Sequence, residues 1–280
     1  MNKTIETIPG QGILKNPTER PETVILASQL EQHERLLGIY PEFRPDAVFP
    51  YSFGIFAGAV ITKAITPNTA FALVRQRADI VRESESKKPE DERSTMGVFL
   101  ASKDLVAGWL SRFPEIDWTN INGPKAHVLG GSIKDLMALA AEAGRNFRGL
   151  LTAEGVYHSD KRQNDAQLFR GVVENTPVQK SEIPIITSTN VREITHPDDI
   201  RQEMWQSMTR QVNLEDVVRH LVETGYGNIV DTSLGGTIHQ LMQKIHSGFH
   251  FISIEDEVDK VRELLKNLGS AINTTKIASP

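Results

Sequence analysis

The hexapeptide 49–54, FPYSFG, places Ser52 between a short strand pattern that ends at Phe49 and an apolar helix pattern that begins at Gly54. A strand that turns sharply into a helix at a serine is the layout of a nucleophile elbow, in which a strained turn exposes the hydroxyl. The free N–H groups of the following helix favour negative charge at the same place. Pro50 stands where the usual G-x-S-x-G pattern has its first glycine. The spacing alone leaves Ser52 either a nucleophile or an ordinary turn residue.

The composition narrows the possible functions. The chain has 280 residues, enough for one large domain or two modest ones. Its net charge of −5 argues against nucleic acid or an anionic membrane surface as the main partner. It has no cysteine, which excludes disulfides and a thiolate nucleophile. There is neither a signal-peptide pattern nor an apolar run of membrane-spanning length, so we expect a cytoplasmic protein.

The order of predicted elements indicates an α/β fold with an insertion. Strands and helices alternate over residues 1–93 and 154–280, whereas residues 94–153 show the β-α-β-β-α-β order of a ferredoxin-like subdomain. The charged stretch 83–93 lacks apolar periodicity and is interpreted as a linker. The insertion has predicted strands at 96–101, 116–121, 126–129 and 147–152 and helices at 103–112 and 132–143. The remainder has predicted strands at 3–8, 47–49, 185–188, 228–230 and 249–253 and helices at 21–37, 67–83, 197–210, 214–224, 237–244 and 257–268.

Arg77 lies on the apolar face of its predicted helix. Its neighbours three and four positions away are all apolar, which turns the guanidinium toward the interior. A buried guanidinium without an anion is costly, so Arg77 requires a carboxylate. That partner is either a structural carboxylate, the commoner case, or a substrate carboxylate held by two hydrogen bonds.

Two further residues, His158 and Gln11, are candidate site residues because of their positions in the sequence. His158 follows the last strand of the insertion, and a lone histidine there is more often a hydrogen-bonded core residue than a catalytic one. Gln11 sits in a Pro-Gly-Gln-Gly loop, where glycines allow close approach to a ligand but a plain turn is the simpler interpretation. No pair of histidines has metal-ligand spacing, so we expect no metal site.

Together these features resemble one family over nearly the whole chain: the malonyl-CoA:acyl carrier protein transacylases and the acyltransferase domains of polyketide synthases. The loop Gly10-Gln11-Gly12 resembles the family's G-Q-G loop, and residues 50–54 resemble its G-H-S-L-G elbow. Arg77 occupies the place of the family's carboxylate-binding arginine. Residues 120–124, NINGP, match its N-x-N-x-P turn, and His158-Ser159 resembles its catalytic histidine followed by serine.

The chain departs from the family pattern around the elbow. Pro50 replaces the first glycine, Tyr51 replaces the usual histidine, and Ile55 replaces the usual glutamate. The helical segment between the G-Q-G loop and the helix that begins at Pro21 is largely missing.

The resemblance implies an α/β-hydrolase-like acyltransferase core with an inserted ferredoxin-like subdomain. It implies Ser52 as nucleophile and His158 as general base, with the N–H groups of Gln11 and Phe53 holding the oxyanion. It also implies that a carbonyl near the late glycine loop, where Ser233 lies, orients the histidine.

The resemblance further implies the substrate contacts. Arg77 would bind a malonyl carboxylate, and Asn122 and Tyr157 would contact the substrate, with the bulky Tyr157 favouring malonyl over methylmalonyl. The malonyl group would pass from coenzyme A to an acyl carrier protein in fatty acid or polyketide biosynthesis, without a cofactor.

Two alternatives remain open from the sequence. If water reaches the acyl-serine, the protein is an acyl hydrolase that clears stalled carriers. The altered elbow also fits a non-catalytic module that binds a carrier protein or a synthase. Retention of Ser52, His158, Arg77 and Gln11 favours catalysis.

Overall fold

Two β-sheets organise the computed structural model, which describes residues 2–8, 21–233, 236–254, 261 and 263. The first sheet has the strand order β11-β10-β1-β2-β7-β8 and is parallel except for the β7–β8 pair. Its strands are β1 (Lys3–Ile8), β2 (Ala47–Pro50), β7 (Ile185–Ile186), β8 (Glu193–Ile194), β10 (Tyr226–Asp231) and β11 (His250–Ser253).

Helices cover both faces of this sheet, as a parallel sheet requires. Val48 and Ile185 pack with helices α1, α2, α3, α6 and α7, whereas Phe49 and Ile186 pack with α8 and α9. These helices are α1 (Pro21–Ile39), α2 (Ile55–Ile61), α3 (Pro67–Ser86), α6 (Gln163–Glu174), α7 (Pro197–Gln206), α8 (Leu214–Glu223) and α9 (Thr237–Ile245). No helix in the described ranges is both long enough and apolar enough to cross a membrane.

The second sheet contains the predicted insertion. Its order is β6-β3-β5-β4-β9, where β9 is Val212–Asn213, and the first four strands with two helices follow the expected β-α-β-β-α-β order. The elements are β3 (Ser94–Phe99), α4 (Lys103–Arg112), β4 (Asp117–Ile121), β5 (His127–Ser132), α5 (Ile133–Ala143) and β6 (Phe147–Leu150). The domain bounds 1–93, 94–153 and 154–280 remain a prediction.

Several predicted elements differ from the structure. Helix α3 continues to Ser86, so the first part of the stretch interpreted as a linker is helical. Helix α6 was not predicted, and α7 ends at Gln206 rather than at 210. The short strand β9 (Val212–Asn213) was also missed, because two residues carry no periodicity and it forms by pairing parallel to β4. The G-Q-G loop and the predicted helix 257–268 lie outside the described residues, apart from residues 261 and 263.

The strand–turn–helix at Ser52 is present. Strand β2 ends at Pro50, whose Cα lies opposite Ile8 of β1, and the Tyr51 N–H donates to the Ile8 carbonyl over 2.9 Å. Ser52 has φ +53°, a conformation that costs a non-glycine residue free energy and that surrounding structure must enforce. A short 3₁₀ turn at Ser52–Gly54 then leads into α2. The backbone therefore has the sharp turn of a nucleophile elbow.

Pro50 fits this turn because helix α2 presents a glycine to its ring. A Cβ built on Gly58 would lie 2.9 Å from the Pro50 Cβ and 3.0 Å from its Cγ, closer than side chains normally approach. The absence of a side chain at Gly58 therefore lets α2 pack directly on the proline that replaces the elbow glycine.

We expect Gly58→Ala to destabilise the protein by about 1–3 kcal/mol, because the new methyl group must displace the proline or the helix. The control is Gly171→Ala, an exposed position in α6 where a Cβ meets nothing within 4 Å. That change should raise stability by up to about 1 kcal/mol through helix propensity. Urea denaturation midpoints measure both effects, and equal midpoints for Gly58→Ala and the wild type would contradict the packing argument.

Candidate active site

Ser52 and His158 come together at the elbow. The Ser52 Oγ lies 2.6 Å from the His158 Nε2, although 106 positions separate the two residues in sequence. His158 belongs to the segment that follows β6, and like Ser52 it has a positive φ, +58°. Strained backbone at both partners of one hydrogen bond is typical of functional sites.

A backbone carbonyl fixes the orientation of the imidazole. The His158 Nδ1 lies 3.0 Å from the carbonyl oxygen of Arg210. Since a carbonyl can only accept, Nδ1 carries the proton, and Nε2 presents its lone pair to the Ser52 hydroxyl. The predicted source of this carbonyl, the late glycine loop near Ser233, is wrong. Ser233 instead directs its backbone N–H to Asp231 over 2.9 Å, and the carbonyl comes from the segment between α7 and β9.

The environment keeps the imidazole neutral. Burial and the positive charge of Arg77 together lower the pKa of His158 to about 3, although the hydrogen bond to the Arg210 carbonyl opposes the shift. A neutral imidazole with a free Nε2 lone pair can accept a proton, whereas an imidazolium cannot. The pair is therefore in the state that a serine nucleophile and its general base require at neutral pH.

Arg77 is buried, with only 3% of its surface exposed. The described residues give it no ion-pair partner, and its Nε and Nη1 atoms have no hydrogen-bond partner among them. Aromatic rings surround it instead: the guanidinium carbon lies 4.2 Å from the Tyr157 ring centroid, 5.5 Å from that of Phe53 and 5.8 Å from that of Phe56. Burial lowers the pKa of Arg77. Cation–π contacts offset part of the cost of burying this charge and leave its donors free for an anion.

Tyr51 connects the elbow to the second sheet, a contact that the sequence did not reveal. Its hydroxyl donates to the Asn122 Oδ1 and accepts from the Asn120 Nδ2 over 2.9 Å. Burial raises the pKa of Tyr51, which keeps the phenol protonated and able to donate. Asn122, predicted to contact substrate, thus has one of its acceptor positions occupied by a protein group.

Of the two predicted oxyanion donors, only Phe53 lies among the described residues. Phe53 lies in the 3₁₀ turn that leads into α2, and its side chain is buried. Gln11 lies outside the described residues. The assignment of their N–H groups to an oxyanion remains a prediction.

A cavity of about 660 Å³ joins these groups. Ser52, Arg77, Tyr157 and His158 all line it, and Asn122 lies on its wall. This volume falls in the range of small-molecule sites. Within the ranges that the structure describes, no group of three acidic or histidine side chains could hold a metal ion.

Similar proteins carry the same fold. No protein-family model matches the chain. A malonyl CoA-acyl carrier protein transacylase of Bacillus subtilis is 20% identical over 219 residues, which cover 76% of this chain and 68% of that protein. The crystal structure of a malonyl-CoA:acyl carrier protein transacylase from Helicobacter pylori superposes with a TM-score of 0.79 and 17% identity, covering 95% of this chain and 99% of the other.

A second structure shows a malonyl-transacylase in complex with a type II polyketide synthase acyl-carrier protein. It also superposes with a TM-score of 0.79, at 15% identity, and the match covers 95% of this chain and 99% of the other. The chain therefore has the mixed α/β acyltransferase fold. Its homologues and structural neighbours are malonyl-CoA:acyl carrier protein transacylases and acyltransferase domains of polyketide synthases.

We expect the reactivity of Ser52 toward a fluorophosphonate probe to stay constant from pH 8 to pH 5. Because the folded protein holds the His158 pKa near 3, the base remains neutral across this range and protonates only at lower pH. The labelling rate is measured by intact mass, with circular dichroism at each pH to establish that the protein is folded. His158→Gln should label slowly at every pH. A decline with a midpoint near the ordinary histidine pKa of about 6.5 would contradict the buried, neutral base.

Proposed function

We propose that this protein transfers a malonyl group from coenzyme A to an acyl carrier protein through an acyl-serine at Ser52. The observation that carries this proposal is a buried guanidinium with free donors on the same cavity as a Ser–His pair. The malonyl thioester supplies the carbonyl for the serine, and the free malonyl carboxylate supplies an anion for the Nε and Nη1 donors of Arg77. The names of the homologues and structural neighbours support the same reaction.

The first half-reaction forms the acyl-enzyme. The Ser52 hydroxyl attacks the thioester carbonyl while the His158 Nε2 accepts its proton, which forms a C–O bond and a tetrahedral oxyanion. The oxyanion collapses, the C–S bond breaks, and His158 returns the proton to the departing thiolate of coenzyme A. The Arg210 carbonyl stabilises the transient imidazolium because its oxygen already accepts from Nδ1.

The second half-reaction reverses these steps with a different thiol. The carrier's thiol gives its proton to His158 and attacks the malonyl ester, and the proton then returns to the Ser52 oxygen as the ester bond breaks. Both thiols end the same pantetheine arm, so one cavity serves donor and acceptor in turn. No step requires a cofactor.

The remaining predicted residues have roles within this proposal. The N–H groups of Phe53 and Gln11 hold the oxyanion. Arg77 binds the malonyl carboxylate, Asn122 contacts the substrate, and Tyr157 leaves little room for an α-methyl group and so favours malonyl over methylmalonyl.

The proposal includes a cytoplasmic location, which cell fractionation tests.

Mixing the protein with malonyl-CoA should produce a covalent adduct with the mass of one malonyl group, because the buried histidine activates Ser52. Intact mass spectrometry measures the adduct, and Ser52→Ala should remain unmodified. Addition of a phosphopantetheinylated carrier protein should discharge it. Hydrolysis of malonyl-CoA in the absence of a carrier protein would show that the protein is an acyl hydrolase instead. The absence of both adduct and hydrolysis would indicate a non-catalytic binding module.

Arg77→Ala should lower kcat/KM for malonyl-CoA by about 100-fold, which corresponds to the roughly 3 kcal/mol of a charge-assisted interaction. Its activity with acetyl-CoA, which has no free carboxylate, should fall far less. The control is Arg75→Ala, an exposed position on the same helix. Equal losses with both thioesters in Arg77→Ala would exclude a carboxylate-binding role for this residue.

A further inference from the structure

The segment 155–158, which carries Tyr157 and His158 to the cavity, has a positive φ at both ends. Gly155 has φ +81°, which glycine adopts readily, and His158 has φ +58°. At His158 such a conformation persists only where neighbouring groups enforce it. The residue between Gly155 and Tyr157 is Val156, and both of its backbone polar groups are bound by side chains from outside the segment.

Arg162 holds the carbonyl of Val156. Its Nε donates to the Val156 oxygen over 2.7 Å, and the whole side chain is buried, with 2% exposed. It also fits tightly beneath the segment: a Cβ on Gly155 would lie 2.1 Å from the Arg162 Nη2. The other guanidinium donors bind Ser84, Ser94, Glu85 and Asp165.

Ser94 holds the N–H of the same residue. The Ser94 Oγ accepts from the Val156 N–H over 3.2 Å and from the Arg162 Nη2 over 2.7 Å, and it donates to the Glu85 Oε1 over 2.7 Å. One hydroxyl thus uses its donor and both acceptor positions. The Ser94 carbonyl in turn accepts from the Gly155 N–H over 3.0 Å.

The charges of this cluster balance when Lys88 is included. Arg162 pairs with the carboxylates of Glu85 and Asp165, and Lys88 pairs with Glu85. Burial alone would raise the pKa of Glu85, but hydrogen bonds from Ser94 and Lys88 and the charge of Arg162 outweigh it and lower the pKa to about 2. A buried ion cluster is weak evidence for stability, because desolvation offsets the Coulombic gain. The hydrogen bonds that Arg162 and Ser94 make to the backbone of Val156 point to a different role.

We propose that Arg162 and Ser94 are positioning residues for the active site. By fixing Val156, they set where Tyr157 packs on Arg77 and where the His158 ring meets Ser52. This positioning role rests on the proposed function, but the reactivity of Ser52 can test the role without a malonyl substrate.

Two serines of the cluster provide a matched test. Ser94 and Ser84 each accept a hydrogen bond from Arg162, but of these two hydroxyls only that of Ser94 binds Val156. We expect Ser94→Ala to lower the rate of fluorophosphonate labelling at Ser52 by about 10- to 100-fold, as misplaced catalytic groups do. Ser84→Ala should stay within about twofold of wild type, and Ser94→Thr, which keeps the hydroxyl, should recover most of the rate.

Stability and steady-state kinetics separate positioning from folding. Urea denaturation identifies conditions in which all variants are fully folded, and labelling is compared there. With malonyl-CoA, Ser94→Ala should lower kcat more than it changes KM. Equal labelling rates for Ser94→Ala and Ser84→Ala, or no recovery in Ser94→Thr, would overturn the positioning role. Normal labelling of wild type without a malonyl adduct would overturn the proposed function instead.

Discussion

The active site depends on one buried charge that no direct ion pair among the described residues neutralises, although the Glu22 carboxylate favours it electrostatically. Arg77 is buried beside three aromatic rings, and its Nε and Nη1 lack partners among the described residues. The same charge lowers the pKa of His158, so the guanidinium and the base are electrostatically coupled. A bound carboxylate would neutralise Arg77 and make the imidazole more basic. An anionic substrate would therefore improve the catalyst as well as occupy its site, whereas a neutral acyl group would do neither.

The altered elbow is compatible with a working turn because neighbouring residues accommodate two of its three changes, Pro50 and Tyr51. Gly58 gives room for the ring of Pro50, and the hydroxyl of Tyr51 binds Asn120 and Asn122 of the second sheet. The tyrosine thus joins the strand–turn–helix of one sheet to a strand of the other. Ser52 keeps the positive φ of an exposed nucleophile despite these substitutions.

The sequence predicted the features that depend on local chemistry. The apolar neighbours of Arg77 predicted its burial, and the strand-to-helix change at Ser52 predicted the elbow. The order of strands and helices in the insertion was also predicted correctly. Helix α6 was missed although Ala166, Phe169 and Val173 recur with helical spacing and are buried. This spacing is a helix signal that the sequence itself contains.

Contacts between distant segments could not be predicted in the same way. No local pattern links Tyr51 to Asn120, or Ser94 to Val156, because each pair forms only when two sheets or a sheet and a loop pack together. The two-residue strand β9 depends on its partner β4 for its existence. For the same reason the sequence did not predict that the Arg210 carbonyl orients His158. The position of that carbonyl follows from the β4–β9 pairing and not from any motif.

The group that orients the His158 imidazole belongs to the main chain. Any amino acid at position 210 supplies a carbonyl oxygen, so no side-chain replacement there removes the acceptor of the Nδ1 proton. Substitution of the Arg210 side chain, which donates to the Asn190 Oδ1, therefore leaves the acceptor of the Nδ1 proton, and with it the tautomer of His158, in place. Evolution can disturb that tautomer only by moving the backbone between α7 and β9, through insertion, deletion or loss of the β4–β9 pairing. Selection on the tautomer therefore acts on the path of the main chain rather than on the acceptor's side chain.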